Sequence, residues 1–344
     1  MNVTDFIGVA IFILGACIGS FLNVCIYRWP LEKSVRKPTR SFCPNCEKMI
    51  PWYDNIPFIS FILLGGKCRF CKKKISFRYF FVELTTAITF LVFYLYFGLS
   101  PVLLPYLVMV SGFIVATFVD FGHRIIPDQV GIGGMWAGLV FSLGIPSLHQ
   151  ESVGAMTAGR IIMWIILAII ILSSLYQYFR GRNNQTPQEN AEEDSKENMI
   201  ILFVVLVFCA IDLIVGYFIK SGGDEPSQWL SLLRSLDSGI VGVMVGGGLI
   251  YVMGLLGEFL FKKEAMGGGD VKLMAMVGAF LGWQAALMTF FLAPFFGAAY
   301  GGVEWLRKKD TAIAYGPFLV LGALITLFWG DRIFFWILYR HDIF

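Results

Sequence analysis

Long uncharged apolar runs constrain this chain more than any other feature. They occur at 6–27, 84–119, 129–150, 161–179, 199–211 (continuing past Asp212 to 219), 238–257, 273–303 and 311–330. Crossing a bilayer takes roughly 20 apolar residues. Backbone groups in lipid must be satisfied within the segment, so such runs have to be helices. The composition agrees, with 57% hydrophobic and only 15% charged residues in 344. The run 84–119 is too long for one helix, and Gly98-Leu99-Ser100-Pro101 supplies a turn within it. The run 273–303 reads as two shorter helices broken near Gly282 or at Pro294. The expected fold is an all-α polytopic membrane protein with about ten transmembrane helices, in a range of about 8–11. The first run is long and lacks a basic leader, so it reads as a span and not as a cleavable signal peptide.

Basic residues orient the chain. Of the 27 Lys and Arg, twelve fall in 28–78. Ten more are Arg124, Arg180, Arg182, Lys196, Lys262, Lys263, Lys272, Arg307, Lys308 and Lys309. Threading ten spans puts all of these on one side, leaving Arg160, Lys220, Arg234, Arg332 and Arg340. That side is expected to be the cytoplasm, with the N-terminus outside.

Residues 28–78 form a polar insert after the first helix. Against its twelve basic residues stand only Glu32, Glu47 and Asp54. It holds Cys43-Pro44-Asn45-Cys46 and Cys68-Arg69-Phe70-Cys71. Two CxxC pairs at this separation read as a four-thiolate zinc site. A disulfide framework is the competing reading, and a cytoplasmic loop is too reducing for it. Four protein thiolates close the coordination sphere, so Cys43, Cys46, Cys68 and Cys71 imply a structural metal. The cationic surface suits anionic lipid headgroups better than nucleic acid. Cys17, Cys25 and Cys209 lie in apolar runs and read as core packing.

Candidate chemistry sits where charged loops meet apolar runs. Gly267-Gly268-Gly269-Asp270 opens the run at Leu273. Each glycine costs a helix about 1 kcal/mol relative to alanine, and glycine suits a backbone that another chain must approach. Asp120 closes a span, where the helix dipole disfavours negative charge, so capping does not explain it. Asp128 follows Pro127 and precedes a helix, so an N-cap explains it. Glu83 is expected to pair with Arg78, Asn23 to make one interhelical hydrogen bond, and Asp212 to be satisfied by a neighbouring helix. Residues 180–198, rich in Glu and Asp, read as a disordered acidic linker. The three histidines, His123, His149 and His341, are scattered, and no Walker A loop, HExxH or dinucleotide fingerprint is present. What remains is a pair of carboxylates on one face, able to share a proton and activate water as in aspartic proteases.

The sequence resembles the type IV prepilin peptidases of bacteria, GxGD aspartic proteases. The resemblance rests on Gly19 to Pro30, both CxxC pairs, Trp52-Tyr53-Asp54-Asn55-Ile56-Pro57, Arg78-Tyr79 with Glu83, Asp120 to Asp128, Glu264 to Leu273, and Tyr315-Gly316-Pro317-Phe318. It implies a multi-pass enzyme of the bacterial inner membrane. Such an enzyme cuts the basic leader of prepilins and pseudopilins at the cytoplasmic face, then methylates the new N-terminus with S-adenosylmethionine. Its catalytic aspartates fall on Asp120 and Asp270, and the cysteine loop carries over as a zinc-binding cytoplasmic domain. The expected partition is a first helix at 1–27, the zinc domain at 28–78 and the peptidase membrane domain at 79–344. The chain departs from the family in length: 150 residues separate the two aspartates, which implies an added helix pair flanking the acidic linker. A presenilin-type intramembrane protease is a rival, but its aspartates lie deep in the bilayer, whereas these abut charged loops. A transporter with a zinc-ribbon loop would leave the Asp120–Asp270 pairing unexplained. If the linker is only a tether, deleting 183–198 will leave cleavage of a prepilin within a few-fold of the intact protein; loss of folding or of cleavage would show that it docks.

Overall fold

Among the described residues, regular structure is helical, and extended pairing is confined to two isolated bridges in the insert. The computed structural model describes residues 3–37, 41–149, 153–183, 206–219, 228–261, 266–308 and 314–339. Within these, six helices are long and apolar enough to cross a membrane, and Leu206–Ile219 and Gly316–Gly330 are shorter apolar helices. The protein is a multi-pass membrane protein. Outward-facing apolar side chains such as Phe6 and Ile13 suit lipid and not water. The chain divides into two compact units, Met1–Val130 and Gly131–Phe344.

In the first unit, α1 (Val3–Arg28) packs along α3 (Arg78–Phe97), and α4 (Leu103–His123) lies against both. Gly15 and Gly19 make the α1–α3 crossing close. A Cβ at Gly15 would stand 2.8 Å from the Ala87 Cα, and one at Gly19 would stand 2.8 Å from the Glu83 Cα. Small residues four apart let helix backbones approach in lipid. Asn23 adds the expected interhelical bond, its Nδ2 donating to the Tyr79 carbonyl at 2.9 Å. The turn foreseen at Gly98 is present: α3 ends there with φ 62°, and its N–H closes on the Tyr94 carbonyl. Glu83 departs from its expected pairing with Arg78. Its Oε2 accepts the Phe58 N–H at 3.0 Å, anchoring the turn before the short helix α2 (Ile59–Leu63), where Phe58 has φ 60°.

The second unit comprises most of α5 (Asp128–Gly144), then α6 (Val153–Asn183), α7 (Leu206–Ile219), α8 (Gln228–Phe261), α9 (Gly268–Lys308) and α10 (Gly316–Tyr339). The tightest contact joins α8 and α9, where Gly242 meets Gly278 backbone to backbone with no room for a side chain on either. Although α9 runs over 41 residues, Gly282 breaks it with φ 81° and ψ 174°, a conformation favouring glycine. One point on α8 measures the bend. A Cβ at Gly246 would touch the Met274 carbonyl oxygen and also stand 3.3 Å from the Ala286 Cβ. Those residues are twelve apart and would lie about 18 Å apart on a straight helix. The run therefore folds back at Gly282, and Pro294 lies inside the second arm.

Asp212 is satisfied by a neighbour, as expected. Arg160 of α6 donates Nη2 to both Asp237 oxygens at 2.8 and 2.7 Å, and Nε to Asp212 Oδ1 at 3.4 Å. Asp212 and Asp237 are both buried, so one guanidinium ties α6, α7 and α8 together. The acidic linker lies outside the described residues from 184 on; 180–183 belong to α6. In α10 the helix continues beyond Gly330 to Tyr339.

The α8–α9 contact gives a direct test. Gly278→Val drives a branched side chain into the Gly242 backbone, and the overpacking is expected to cost about 1–3 kcal/mol or more. Thermal unfolding in detergent reads the loss. Gly133→Ala, whose Cβ would meet nothing within 4 Å, should change stability by at most about 0.5 kcal/mol.

Candidate functional site

Asp270 occupies the first turn of α9, its N–H bonded to the Gly267 carbonyl at 3.1 Å. A carboxylate there faces the positive end of the helix dipole. The side chain is half-buried, while Gly267 and Gly268 are exposed. Packing does not demand glycine at either position. A Cβ at Gly268 would meet nothing within 4 Å, and one at Gly267 would meet only the Asp270 carboxylate, at 3.8 Å. The missing side chains instead leave bare backbone beside an accessible carboxylate.

The helix behind Asp270 is gripped on two sides. A Cβ at Gly131 of α5 would stand 2.6 Å from the Lys272 Cβ, one at Gly134 would press on Met276, and one at Gly138 would press on Ala279. From α8 come Gly242 and Gly246. A third contributor was legible only as a motif. The Tyr315 phenol, just ahead of α10, is pushed up to about 12 by burial, and the Asp270 charge acts in the same direction. The phenol thus stays protonated and holds an O–H donor in the neighbourhood of that carboxylate. Its sequence signal was Tyr-Gly-Pro-Phe before an apolar run, which gave no role.

Asp120 lies in the last turn of α4, only 5% exposed. The helix closes behind it when Arg124, with φ 56°, donates its N–H to the Asp120 carbonyl at 2.9 Å. Asp128 opens α5 as expected. Asp120 belongs to the first unit and Asp270 to the second.

The insert brings all four predicted cysteines together. One sulfur from each lies within 4.8 Å of the others, with Cys43 and Cys71 at 3.8 Å and Cys46 and Cys68 at 4.0 Å. Tetrahedral thiolates at about 2.3 Å from zinc would stand roughly 3.8 Å apart, so the donor set fits a four-sulfur metal. The two halves repeat one construction at an offset of 25 residues. The Cys43 N–H bonds the Lys48 carbonyl and the Cys68 N–H bonds the Lys73 carbonyl; the Glu47 and Lys72 N–H groups bond back to Cys43 and Cys68. Glu47 and Lys72 both have φ 56°. Backbone N–H groups of Cys71 and Phe70 draw the Cys68 thiol down to about 6. Although the Lys48 N–H acts to lower it, burial and the neighbouring thiols push Cys46 up to about 11. Arg69 clamps Asp54 through two bonds of 2.6 Å, which holds the Asp54 carboxyl below its usual range.

A helical membrane protein with a four-cysteine insert after its first helix and a glycine-led aspartate defines the class. Residues 13–97 match the Bacterial Peptidase A24 N-terminal domain, and residues 197–302 match the Type IV leader peptidase family. Both matched segments point to the type IV leader peptidases. Asp270 falls in the second matched segment; Asp120 lies between the two. The chain is 31% identical to the prepilin leader peptidase/N-methyltransferase of Myxococcus xanthus, covering 85% of this chain and 62% of that protein. Proteins of the same name from Aeromonas hydrophila and Legionella pneumophila are 28% and 26% identical, with 95% and 98% of this chain and 92% and 96% of theirs covered. No solved structure matches.

Because nothing in the fold crowds Gly268, Gly268→Ala should leave thermal stability unchanged or raise it by up to about 1 kcal/mol. Unfolding midpoints in detergent check this; a fall would mean that the glycine serves the fold.

Proposed function

We propose that the protein cleaves the leader of prepilins and related pseudopilins with Asp120 and Asp270 as a dyad, and methylates the new N-terminus. The carrying observation is Asp270 in the first turn of α9, half-exposed behind glycines that packing does not require. An extended precursor backbone lies along Gly267, Gly268 and Gly269. Asp270, favoured as carboxylate, takes a proton from water as its oxygen attacks the scissile carbonyl carbon. Asp120, favoured as the acid, gives its proton to the carbonyl oxygen. Collapse of the tetrahedral species breaks the C–N bond; the leaving amine takes the proton held by Asp270, and one diol O–H returns a proton to Asp120. The two carboxyls titrate as a pair, so these are preferred microstates. Bound S-adenosylmethionine supplies a methyl on a positively charged sulfur for the freed, neutral amine.

In this reading 1–27 is the first helix, 28–78 a zinc domain and 79–344 the peptidase domain. The protein sits in the bacterial inner membrane with both aspartates at the cytoplasmic face. The distribution of 22 of 27 basic residues on one side supports that orientation. The basic insert meets anionic lipid, and no nucleic acid partner is invoked.

Asp120→Asn and Asp270→Asn are each expected to abolish cleavage of a purified prepilin, because either removes the shared-proton arrangement. Asp128→Asn should retain turnover and lose only about 1 kcal/mol of helix capping. Near-normal cleavage by Asp120→Asn would move the first catalytic role elsewhere.

We also infer one zinc per chain, held by Cys43, Cys46, Cys68 and Cys71. Metal analysis of freshly reduced protein should return one zinc, and chelation should unfold the insert, since a closed site contributes folding free energy. Protein that is metal-free and still folded would refute the assignment.

A further inference from the structure

Inside the first unit lies a cavity of about 440 Å³ bounded by the end of α1, the insert and the start of α3. That size holds a small-molecule ligand. Six aromatic side chains, those of Tyr27, Phe42, Phe61, Phe70, Tyr79 and Phe80, form part of its wall. Charged and polar side chains line much of the rest, Arg28, Arg69, Lys73 and Lys74 among them, and Asn23, Arg78 and Glu83 stand where α1 and α3 run together. Asn23 is 2% exposed. Its Nδ2 is engaged by Tyr79, but its Oδ1 is buried with no partner, and so is the Nε of Arg78. Glu83 holds the Phe58 N–H with Oε2 and also bonds the Ser20 side chain. Buried polar atoms rarely stay unpaired, so orphans of both kinds, one acceptor and one donor, at one cavity point to a ligand carrying both.

We propose that this cavity binds S-adenosylmethionine, the donor for the methylation assigned above; the inference rests on that reading. The ligand's parts match the lining. The aromatic walls suit a purine ring, and Arg78 suits the amino-acid carboxylate. The Asn23 Oδ1 and Glu83 suit the ammonium, and aromatic faces also favour the sulfonium charge. The position suits the task too. Phe81, next to the cavity-lining Phe80, packs its ring 6.0 Å from that of Phe118, two residues before Asp120. Within one unit, the cavity therefore lies at the same level as a proposed catalytic aspartate, and an amine released there has a short path to the donor.

Equilibrium dialysis of the full-length protein in detergent against labelled S-adenosylhomocysteine, which cannot react, tests the proposal. Wild type and Asp120→Asn should each bind one equivalent. Asn23→Leu, Arg78→Gln and Glu83→Gln should each lose roughly ten-fold in affinity; Arg78→Gln and Glu83→Gln should do so at unchanged thermal midpoint, whereas Asn23→Leu also loses the bond to the Tyr79 carbonyl and lowers it. Ultraviolet crosslinking of labelled S-adenosylmethionine to wild type locates the site without relying on variants. Adducts should map to 20–28 or 42–83; adducts in 228–261 or 266–308 would overturn the assignment, as would variants that bind normally. Wild type that cleaves prepilin but binds no S-adenosylhomocysteine overturns the cavity proposal alone. Wild type that binds at the cavity but cleaves no prepilin upholds it and overturns the peptidase reading instead.

Discussion

The second unit depends on the backbone contact between Gly242 and Gly278. Apolar side chains gain little by leaving lipid for one another, so helices in a membrane are held by close packing and a few polar links. Removing both side chains lets α8 and α9 meet at their backbones, and the glycines of α5 repeat the device on the other side. The outcome is a rigid first arm of α9 with its N-terminus, and hence Asp270, at a defined position. Polar links supply the specificity that packing alone lacks. Arg160 joins three helices through two buried carboxylates, which fixes their rotation as well as their separation.

The insert solves a different problem. Fewer than fifty residues between α1 and α3, rich in Lys and Arg, cannot bury a core large enough to order themselves. The thiol cluster replaces that core. The Asp54–Arg69 clamp links the segment after the first knuckle to the second, and Glu83 reaches from α3 to hold Phe58. The wall of the cavity is thus organised by a metal-type cluster on one side and by α1 and α3 on the other.

Local signals in the sequence translated well. CxxC spacing placed four sulfurs in one cluster, Gly98 marked the turn between α3 and α4, and the glycines before Asp270 marked a helix start. Each depends on residues close in sequence or on a stereotyped motif. Partnerships across the fold were hidden. Glu83 had a basic residue one turn away, and nothing local shows that Phe58, 25 residues earlier, would take its oxygen. Asp237 carried no signal, because its partner Arg160 lies 77 residues away. Gly282 and Pro294 were equal candidates for the break in α9. The choice fell to glycine because the fold-back needs a positive φ, which proline cannot adopt; proline only loosens a helix that continues.

The fold-back at Gly282 also bears on parity. A run of 41 residues counted as one crossing would deliver its two ends to opposite faces of the membrane. Folded at Gly282, it is an even element and returns the chain to the face it left. Tyr315 can then sit within electrostatic reach of Asp270 although 45 residues separate them. A single dihedral pair thus turns the second arm of α9 back along the first. A substitution that straightened this glycine would invert the topology of α10, and so would damage the site without touching any residue in it.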